Sequence, residues 1–312
     1  MCYNIKKFQA GKGMTLQQLK YIVTVAQTGT ITEAAGKLYI SQPSLTNAIH
    51  ELEKEMNITI FNRTNKGISV SKEGEEFLSY VRQILDQAAI LEDKYKGDNG
   101  GRKQYCISTQ HYSFAVNAFV DLIKQFGQNE YDFSLRETQT YEIIEDVAKL
   151  RSEIGILYIN NFNEAVFKKI FKSYDLEFHE LYTARPHVFI SRKHPLAECD
   201  VISNEQLEDY PYLSFEQGEH NSFYFSEEIF SETARKKNIR VRDRATLFNL
   251  LIGLNGYTVS SGIIDKKLNG KDIIAVPLAD ESDMHIGYIT HKKGILSRLG
   301  NTYLEAIRKY LK

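Results

Sequence analysis

The N-terminal part of the chain carries three short helical patterns separated by turns, and these patterns constrain the fold more than any other feature. The apolar residues of the first pattern recur at helical spacing: Leu16, Leu19, Ile22, Val23 and Ala26. Thr28-Gly29 is typical of a helix end. Thr30 and Glu33 then fit a capping box, in which the threonine caps a second helix and the glutamate reaches back. Ala34 and Ala35 are small enough to let another helix pack closely against this one.

A third helix is predicted to begin at Ser41-Gln42-Pro43, with Ser41 as its cap and Pro43 in the first turn, where a missing N–H costs nothing. Its apolar stripe comprises Leu45, Ile49 and Leu52. The polar residues left facing outwards are Gln42, Ser44, Thr46 and Asn47. Gln and Asn can bond adenine in two places, and Thr can bond a base or contact a thymine methyl, so this set suits a recognition helix in the major groove. For any single one of them, an ordinary solvated residue is the alternative.

After the third helix the pattern changes to that of a small hairpin. Ile58, Ile60, Ile68 and Val70 predict two short strands, with residues 61–67 as a polar turn between them. Arg63 and Lys66 in this turn suit contacts with phosphates or a minor groove, as in the wing of a winged helix-turn-helix. A solvated hairpin tip is the alternative interpretation.

The charge distribution agrees with a nucleic-acid partner for this segment. Residues 1–72 contain nine Lys and Arg against four Glu, a balance of +5, whereas the whole chain carries −1 and the remainder therefore −6. A basic head on an acidic remainder favours DNA binding. Three of the cations lie in residues 1–13, which show no clear periodicity and are interpreted as a flexible extension. The sequence leaves open whether translation starts at Met1 or Met14.

A long helix follows, beginning at Ser71. Its apolar residues are spaced by alternating steps of four and three: Phe77, Val81, Ile84, Ala88, Leu91 and Tyr95. This heptad seam predicts pairing with a second copy, because a helix-turn-helix normally reads two half-sites as a dimer. Packing of the helix on its own domain is the alternative. Residues 97–101, rich in glycine, are a predicted hinge.

Beyond the hinge, strand-like and helical runs alternate. The predicted strands are 104–109, 133–137, 154–159, 212–215, 239–241, 257–260, 273–276 and 285–290, and the predicted helices are 114–126, 142–150 and 296–311. This βαβ rhythm predicts an α/β architecture with a parallel sheet, built as two lobes with a cleft between them. The predicted domains are an extension at 1–13, a winged helix-turn-helix at 14–72, a linker helix and hinge at 73–101, and a two-lobed domain at 102–312. Lobe I comprises about 102–184 and 288–312, and lobe II about 185–287.

Three strand-to-helix junctions of this domain are rich in polar residues, at 108–113, 138–140 and 215–218. Ligands in open α/β sheets bind beyond the carboxyl ends of strands, where helix N-termini offer free N–H groups. Hydroxyls and amides there can hold a small carboxylate or an amino acid. Helix capping by Ser113 and Thr140 is the alternative, and it is compatible with binding.

Several other functions find no support in the sequence. Three cysteines lie far apart, and eight histidines are scattered without ligand spacing, so no metal site is expected. A redox pair of Cys106 and Cys199 is disfavoured, because nothing near Cys106 suggests a lowered thiol pKa. No catalytic constellation or cofactor motif is present. Without an apolar run of ~18–20 residues or a secretion leader, we expect a cytoplasmic protein with no membrane partner.

The first part of the chain resembles a known family. The stretches "TLQQLKYIVTVAQTGTITEAAGKLYISQPSLTNAIHELEKEM" and "IFNRTNKGISVSKEGEEF", with the helix that follows, are similar to the winged helix-turn-helix and linker helix of LysR-type transcriptional regulators. The resemblance implies that the second half is a periplasmic-binding-protein-like effector domain. The DNA-binding residues carried over are Thr30, Ser41, Gln42, Pro43, Ser44, Thr46, Asn47, Arg63 and Lys66. The family often has Ser-Arg or Ser-Gln in place of Thr46-Asn47, and usually a second Arg in place of Lys66, which puts the operator sequence in doubt.

The same resemblance implies an effector cleft between the lobes. The residues carried over to it are Ser108, Gln110, His111, Tyr112, Ser113, Gln139, Thr140, Tyr158 and Gln217. Family members usually act as dimers of dimers at promoter DNA, and RNA polymerase is a further candidate partner. Strings such as "STQHYSFAVNAFVDLIKQF" and "DRATLFNLLIGLNGYTVSSGI" resemble a narrower Gram-positive branch, the MtaR/CpsY type, related to methionine uptake and sulfur amino-acid metabolism.

The sequence therefore predicts a one-component transcription regulator, not an enzyme, that is controlled by a small metabolite. Two other functions are weighed against it. The first is a DNA-binding regulator with no effector, whose lobes serve only oligomerisation. The second is a solute-binding protein or an enzyme on the same two-lobed fold, which would leave residues 15–72 unexplained.

Overall fold

A computed structural model describes residues 13–64, 67–96, 103–126, 131–220, 222–264 and 270–311. The chain divides into two compact units, residues 1–99 and 100–312. The elements of the first unit are α1 (Leu16–Thr28), α2 (Ile31–Lys37), α3 (Gln42–Met56), β1 (Phe61–Thr64), β2 (Gly67–Val70) and α4 (Lys72–Lys96). This order of three helices, a hairpin and a long helix confirms the predicted winged helix-turn-helix.

Local side-chain bonds fix the ends of the first two helices. Thr15 and Gln18 form a complete capping box at the start of α1, which the sequence analysis missed. Gly29 ends α1 in a left-handed conformation (φ 73°), as predicted from its position after Thr28. Thr30 caps α2 by accepting a hydrogen bond from the Glu33 N–H (3.3 Å), while the Glu33 carboxylate lies 3.3 Å from Nζ of Lys37.

A single apolar core holds the first unit together. Its most buried large side chains are Leu19, Ile22, Leu45, Leu52, Ile60 and Leu78. Ala34 and Ala35 are buried as well, in agreement with close helix packing at these small residues. Gly74 lies where the first turn of α4 approaches the backbone of Ile60; a Cβ there would stand 2.2 Å from the Ile60 carbonyl oxygen. A larger residue at this position would therefore push α4 away from the core.

The first wing strand differs from the prediction. It covers Phe61–Thr64, not Ile58–Ile60, so the strands extend into the segment predicted as a turn. Oε1 of Glu53 accepts hydrogen bonds from the N–H groups of Ile60 and Phe61 (2.8 and 3.1 Å), which anchors the residue before the strand to α3. Phe61 then pairs with Val70. The apolar pattern alone did not reveal this bond from α3, so the prediction began the strand too early.

The heptad seam of α4 is only partly buried within its own unit. Val81 packs into the core together with Leu78, which is not a seam residue. Ile84 and Leu91 remain 39% and 60% exposed. The side chain of Tyr95 lies outside the described side chains. Pairing through the exposed part of the seam stays a prediction.

The second unit is α/β, as predicted. Its elements are β3 (Lys103–Thr109), α5 (Ser113–Phe126), β4 (Tyr131–Glu137), α6 (Thr140–Ala148), β5 (Ile154–Ile159), α7 (Glu164–Ser173), β6 (Leu176–Ala184), β7 (His187–Ser191), β8 (Tyr212–Phe215), β9 (Asn238–Val241), α8 (Arg244–Leu254), β10 (Thr258–Ser260), β11 (Ile273–Pro277), β12 (Met284–His291) and α9 (Arg298–Ile307). Two helices, α7 and α8, and two strands, β6 and β7, were not predicted from the sequence.

The sheet pairing corrects the expectation of parallel sheets. Lobe I has the strand order β4-β3-β5-β12-β6, in which β3 runs parallel to β4 and β5 but β12 runs antiparallel to β5 and β6. Lobe II contains an antiparallel sheet, β10-β7-β11, and a parallel pair, β8-β9. Strand β12 enters the lobe I sheet at Met284, four residues before the predicted border at 288. Alternating strands and helices predict the class of fold, but they do not show which strand will lie beside which.

Candidate DNA interface and ligand cavity

The N-terminal end of α3 presents polar side chains to the surface of the first unit. Ser41 caps the helix by accepting a hydrogen bond from the Ser44 N–H, and Pro43 stands in the first turn, as predicted. Gln42, Ser44 and Asn47 are exposed and Thr46 is half-buried. Leu45, Ile49 and Leu52 are buried on the opposite side of α3, so packing of this stripe fixes which side chains face outwards.

Three of the predicted DNA-binding hydroxyls already have partners within the protein. The Ser41 and Ser44 hydroxyls lie 2.8 Å apart, and the Thr30 hydroxyl caps α2. These hydroxyls therefore position the helix ends, and each keeps further lone pairs for another partner. The side chain of Arg63 and all of Lys66 lie outside the described residues.

A cavity lies between the two lobes of the second unit. Lobe I contributes the loop between β3 and α5, and lobe II contributes β7, β8, the start of α8, β10 and the segment before residue 230. The lining residues that carry polar side chains are His111, Tyr112, Ser113, Glu227, Glu228, Arg244, Thr258 and Ser260. Its apolar walls combine three aromatic side chains, Phe189, Phe215 and Phe248, with three aliphatic ones, Leu247, Val259 and Ile263. The cavity volume of about 30 Å³ has room for about two water molecules.

Three of the nine predicted effector residues line this cavity: His111, Tyr112 and Ser113. The His111 N–H donates to Oε2 of Glu227 (2.9 Å), and its Nδ1 lies 3.0 Å from Oε1 of the same carboxylate. The imidazole also stacks on Phe215, with ring centroids 3.8 Å apart. Ser113 donates a long hydrogen bond to the Ile263 carbonyl (3.5 Å). These bonds join lobe I to lobe II at the cavity.

Gln110, Thr140, Tyr158 and Gln217 form a buried hydrogen-bonded chain behind the cavity. Gln110 Nε2 donates to the Thr140 hydroxyl (2.7 Å), and Gln110 Oε1 accepts from the Tyr158 N–H (3.1 Å). Across the lobes, Gln217 Oε1 accepts from the Thr140 N–H (3.0 Å) and so satisfies a helix N-terminus of α6. In the described structure these four residues hold strands and lobes together and do not line the cavity.

The remaining two predicted effector residues also lie away from the lining. Ser108 is fully buried and donates to Oδ2 of Asp146 (2.6 Å), whose other oxygen lies 2.9 Å from Nε of Arg151. Ser108 is therefore part of an ionic network inside lobe I. The Gln139 side chain contacts Gly218, where a Cβ would come within 2.5 Å of it. Gly218 adopts a φ of 56°, so this turn favours glycine for two reasons.

Sequence reasoning missed the charged residues of the cavity. Glu227 and Glu228 belong to the segment that follows the three-residue turn at Phe223–Phe225, and Arg244 is the first residue of α8. Nη2 of Arg244 forms an ion pair with Glu137 of β4 (3.0 Å), another bond between the lobes. The Asp243 cap before Arg244 was the one local signal that a helix, and thus a cavity wall, begins there.

Burial perturbs the acids and bases of the cavity in different directions. Burial, together with the charge of Glu227, raises the pKa of Glu228 to about 8, although bonds from the Phe215 N–H and the Ser226 hydroxyl oppose the shift. Burial alone lowers the pKa of His111, but the Glu227 carboxylate outweighs it and leaves the pKa of His111 raised. Near neutral pH, Glu228 therefore holds a proton while His111 is biased towards its charged form.

Two further groups of side chains can be set aside. Burial raises the pKa of the Cys106 thiol, which lies 3.2 Å from the Ser152 hydroxyl and is not activated. Within the described ranges, no three His, Cys, Asp or Glu side chains converge as metal ligands. In the same ranges, every helix is too short or too polar to cross a bilayer.

A winged helix-turn-helix with an exposed polar helix end, together with an α/β unit that has a cavity between its lobes, defines a transcription regulator with a ligand-binding domain. The model of bacterial regulatory helix-turn-helix proteins of the lysR family matches residues 16–75, and that of the LysR substrate binding domain matches residues 106–312. The chain belongs to the LysR family of transcriptional regulators, a family of DNA-binding regulators and not of enzymes.

Similar proteins agree with this assignment. The chain is 24% identical over 270 residues to a probable RuBisCO transcriptional regulator of Phaeodactylum tricornutum, covering 83% of this chain and 84% of that protein. It is 26% identical over 255 residues to the transcriptional regulator AlsR of Bacillus subtilis, covering 80% and 78%. The fold is similar to that of full-length OxyR C199D from Pseudomonas aeruginosa, with a TM-score of 0.68, 18% identity and 95% of each chain covered.

Proposed function

We propose that this protein regulates transcription by placing the N-terminal end of α3 in the major groove of promoter DNA. The observation that carries the proposal is the exposed polar end of a capped helix whose other side is buried in the core. The proposed DNA contacts are Thr30, Ser41, Gln42, Pro43, Ser44, Thr46, Asn47, Arg63 and Lys66. Asn47 and Gln42 read base edges in this proposal, and the basic residues neutralise phosphates.

Two copies of the chain present two such helices to two half-sites. The exposed residues Ile84 and Leu91 of α4 support pairing, because apolar side chains at heptad spacing lose contact with water when a second α4 covers them. Assembly of two dimers into a tetramer and a contact with RNA polymerase belong to the same proposal.

A small metabolite bound in the cavity controls the oligomer. The Arg244 guanidinium supports an amino acid or related carboxylate as effector, because its Nη1 has no hydrogen-bond acceptor among the described residues. The resemblance to the methionine and sulfur amino-acid branch supports a role in methionine or cysteine transport or metabolism. Binding of the metabolite shifts the equilibrium between two arrangements of the oligomer. To change the ratio of their populations from 1:99 to 99:1, the metabolite must bind one arrangement ~10⁴-fold more tightly than the other.

A regulator without an effector is the second candidate function. The small cavity volume favours it, and so do the bonds that His111, Thr140 and Arg244 make between the lobes, because these bonds hold the lobes together without a ligand. In that case the second unit serves only oligomerisation.

Selection of bound duplexes from a random 20-bp library tests DNA recognition. Asn47→Ala should reduce the preference for one base pair in the bound duplexes by ~1–3 kcal/mol. Arg63→Ala should weaken binding to all duplexes alike, and the salt dependence of binding should fall by the equivalent of about one phosphate contact. Gln27→Ala, exposed on α1, is the matched control and should change neither. If both Asn47→Ala and Arg63→Ala merely lowered stability, the assigned contacts would be wrong.

Thermal denaturation with amino acids, their des-amino acids and sulfur metabolites tests the effector. Stabilisation by one class of compound supports a ligand-controlled regulator. If the protein selects specific duplexes but no compound raises its melting temperature, the result supports the regulator without an effector.

A further inference from the structure

The basic side chains around the cavity leave one of its carboxyl groups without a counter-ion. Glu227 and Glu228 are 6% and 2% exposed, and both line it together with Arg244. Arg244 is already paired with Glu137, and Glu227 is already bonded to His111. Among the described lining residues this leaves the Glu228 carboxyl without a basic partner; it accepts hydrogen bonds from the Phe215 N–H, the Ser226 hydroxyl and its own backbone N–H. A buried carboxyl without a counter-ion is costly to ionise.

Tyr112 supplies an independent observation at the same place. It is 5% exposed and lines the cavity, and its hydroxyl has no hydrogen-bond partner among the described residues. Burial, Tyr158, Glu227 and Glu228 raise the pKa of this phenol, in that order of effect, and both carboxyl groups line the same cavity as the phenol. Buried hydroxyls in native proteins nearly always have a partner. An unpaired one in a cavity wall indicates an acceptor or donor reserved for a ligand.

From this arrangement we propose that the cavity binds a ligand through a primary ammonium group, held by Glu228, Glu227 and the Tyr112 hydroxyl. A primary ammonium has three N–H donors and no acceptor, and these three side chains offer carboxylate and phenol oxygens as acceptors. A metal ion is disfavoured, because the described residues contain no group of three metal-ligating side chains. This inference rests on the proposed effector function and narrows it: a plain carboxylate lacks the group that the acidic wall selects.

Ligand binding then moves a proton. Glu228 is protonated in the ligand-free cavity at pH 7, since its pKa is raised to about 8. An ammonium ion placed against it favours the carboxylate, and the proton leaves to solvent as the ion pair forms. Glu228 is therefore uncharged in the ligand-free protein and becomes a counter-ion only when the cation arrives.

The test uses the full chain and small probes that differ in charge. Ethylammonium chloride, sodium propionate, magnesium chloride and sodium chloride are compared at equal ionic strength by thermal denaturation. We expect ethylammonium, near ten times its Kd, to raise the melting temperature by ~3 °C above the sodium chloride control. Calorimetry at pH 7 in buffers of different ionisation enthalpy should show release of nearly one proton per ammonium bound.

Three variants separate binding from folding. Glu228→Gln should fold, because the amide keeps an acceptor for the Phe215 N–H and a donor to the Ser226 hydroxyl. It should lose both the rise in melting temperature with ethylammonium and the release of a proton. Tyr112→Phe removes a hydroxyl without a partner in the described structure, so it should be as stable as the wild type while weakening ethylammonium ~3- to 10-fold. Glu219→Gln, an exposed charge-matched control, should retain the full shift.

The outcomes distinguish this inference from the effector proposal. Equal shifts from propionate and ethylammonium, an equal shift from magnesium, or an unchanged ethylammonium shift in Glu228→Gln would overturn the ammonium site. Binding of des-amino carboxylates alone would also overturn it, but would leave a ligand-controlled regulator standing. No shift with ethylammonium or with any metabolite would contradict both.

Discussion

His111 and Glu227 join the two lobes through two bonds to one carboxylate, from the backbone N–H (2.9 Å) and from Nδ1 of the ring (3.0 Å). The pair is almost fully buried, so the charge of Glu227 acts on the imidazole with little screening by solvent. The raised pKa of His111 means that its contribution to stability is present below the ordinary histidine value and is lost as the pH rises through the folded-state pKa.

Glu227→Gln should lower the pKa of His111. Burial lowers this pKa on its own, and the substitution removes the charge that outweighs burial. An NMR titration of the His111 Hε1 resonance, assigned by its loss in His111→Gln, measures the change. Glu180→Gln, which removes a carboxylate beside His285, is the control and should leave His111 unchanged. An unaltered His111 titration in Glu227→Gln would show that the carboxylate does not govern the imidazole.

Glu228→Gln should change how stability depends on pH. Because the pKa of Glu228 is raised to about 8, its folded form binds the proton more tightly than the unfolded chain. The wild type should therefore lose about 1.4 kcal/mol per pH unit, relative to Glu228→Gln, between the ordinary glutamate pKa and pH 8. Urea denaturation at pH 5, 6, 7 and 8 measures the difference. Other titratable groups near Glu228 are common to both proteins: Glu227, His111, Tyr112, Tyr158 and Tyr212. If the free energy of unfolding depended on pH in the same way in the two proteins, the raised pKa of Glu228 would be contradicted.

Glu53→Ala should destabilise the N-terminal unit by ~2–4 kcal/mol. The substitution leaves the N–H groups of Ile60 and Phe61 without their shared acceptor in a buried segment. Hydrogen-exchange protection of α1 and α3 in the full chain measures the loss. Glu53→Gln retains a carbonyl acceptor and should cost less than half as much. Equal losses in the two variants would mean that the carboxylate charge, and not the acceptor, anchors the wing.

Tyr39→Gly should stabilise the same unit by ~0.5–1 kcal/mol. Tyr39 adopts a φ of 54° while its side chain is 96% exposed, so it bears the cost of a left-handed conformation and buries almost nothing in return. Tyr39→Ala is the matched control, because its Cβ keeps that cost. Protection from hydrogen exchange across α2 and α3 should be greater in Tyr39→Gly than in Tyr39→Ala. The reverse order would show that the tyrosine side chain stabilises this turn.

Leu91→Glu should break the proposed dimer. Leu91 is 60% exposed in its own unit, and a charge buried on both sides of a two-fold seam should weaken association by roughly 100-fold or more. Sedimentation equilibrium at micromolar concentration measures the mass. Gln87→Glu adds the same charge on the same helix, off the seam, and should leave the mass unchanged. A wild-type monomer, or a dimer that survives Leu91→Glu, would refute pairing through this helix.

Much of the first unit follows from neighbouring residues. The caps at Thr30 and Ser41, the end of α1 at Gly29 and the stripe of α3 depend on bonds and spacings within a few residues, so the sequence predicted them correctly. The error in the wing arose where a distant group intervened, because Glu53 holds the start of the first strand across seven and eight residues.

The second unit shows more clearly which features local sequence patterns cannot predict. The junction at residues 108–113 was found from its polar composition, since strand ends followed by helix starts are local features, and three of its residues line the cavity. Glu227 lies 116 residues from the His111 that it binds, and Gln217 lies 77 residues from Thr140. No local pattern distinguishes these glutamates and glutamines from solvated ones.

By itself, then, the order of residues determined the helices of the first unit, the caps at Thr30 and Ser41, the alternating α/β rhythm and the polar end of α3, because hydrogen bonds and apolar periodicity over one or two turns suffice for them. Only the tertiary structure decided the antiparallel place of β12, the burial of Glu228 beside Glu227 and the polar wall they form with Tyr112. Burial and pairing depend on which distant surfaces pack together, and desolvation changes the chemistry of a side chain only after that packing is complete.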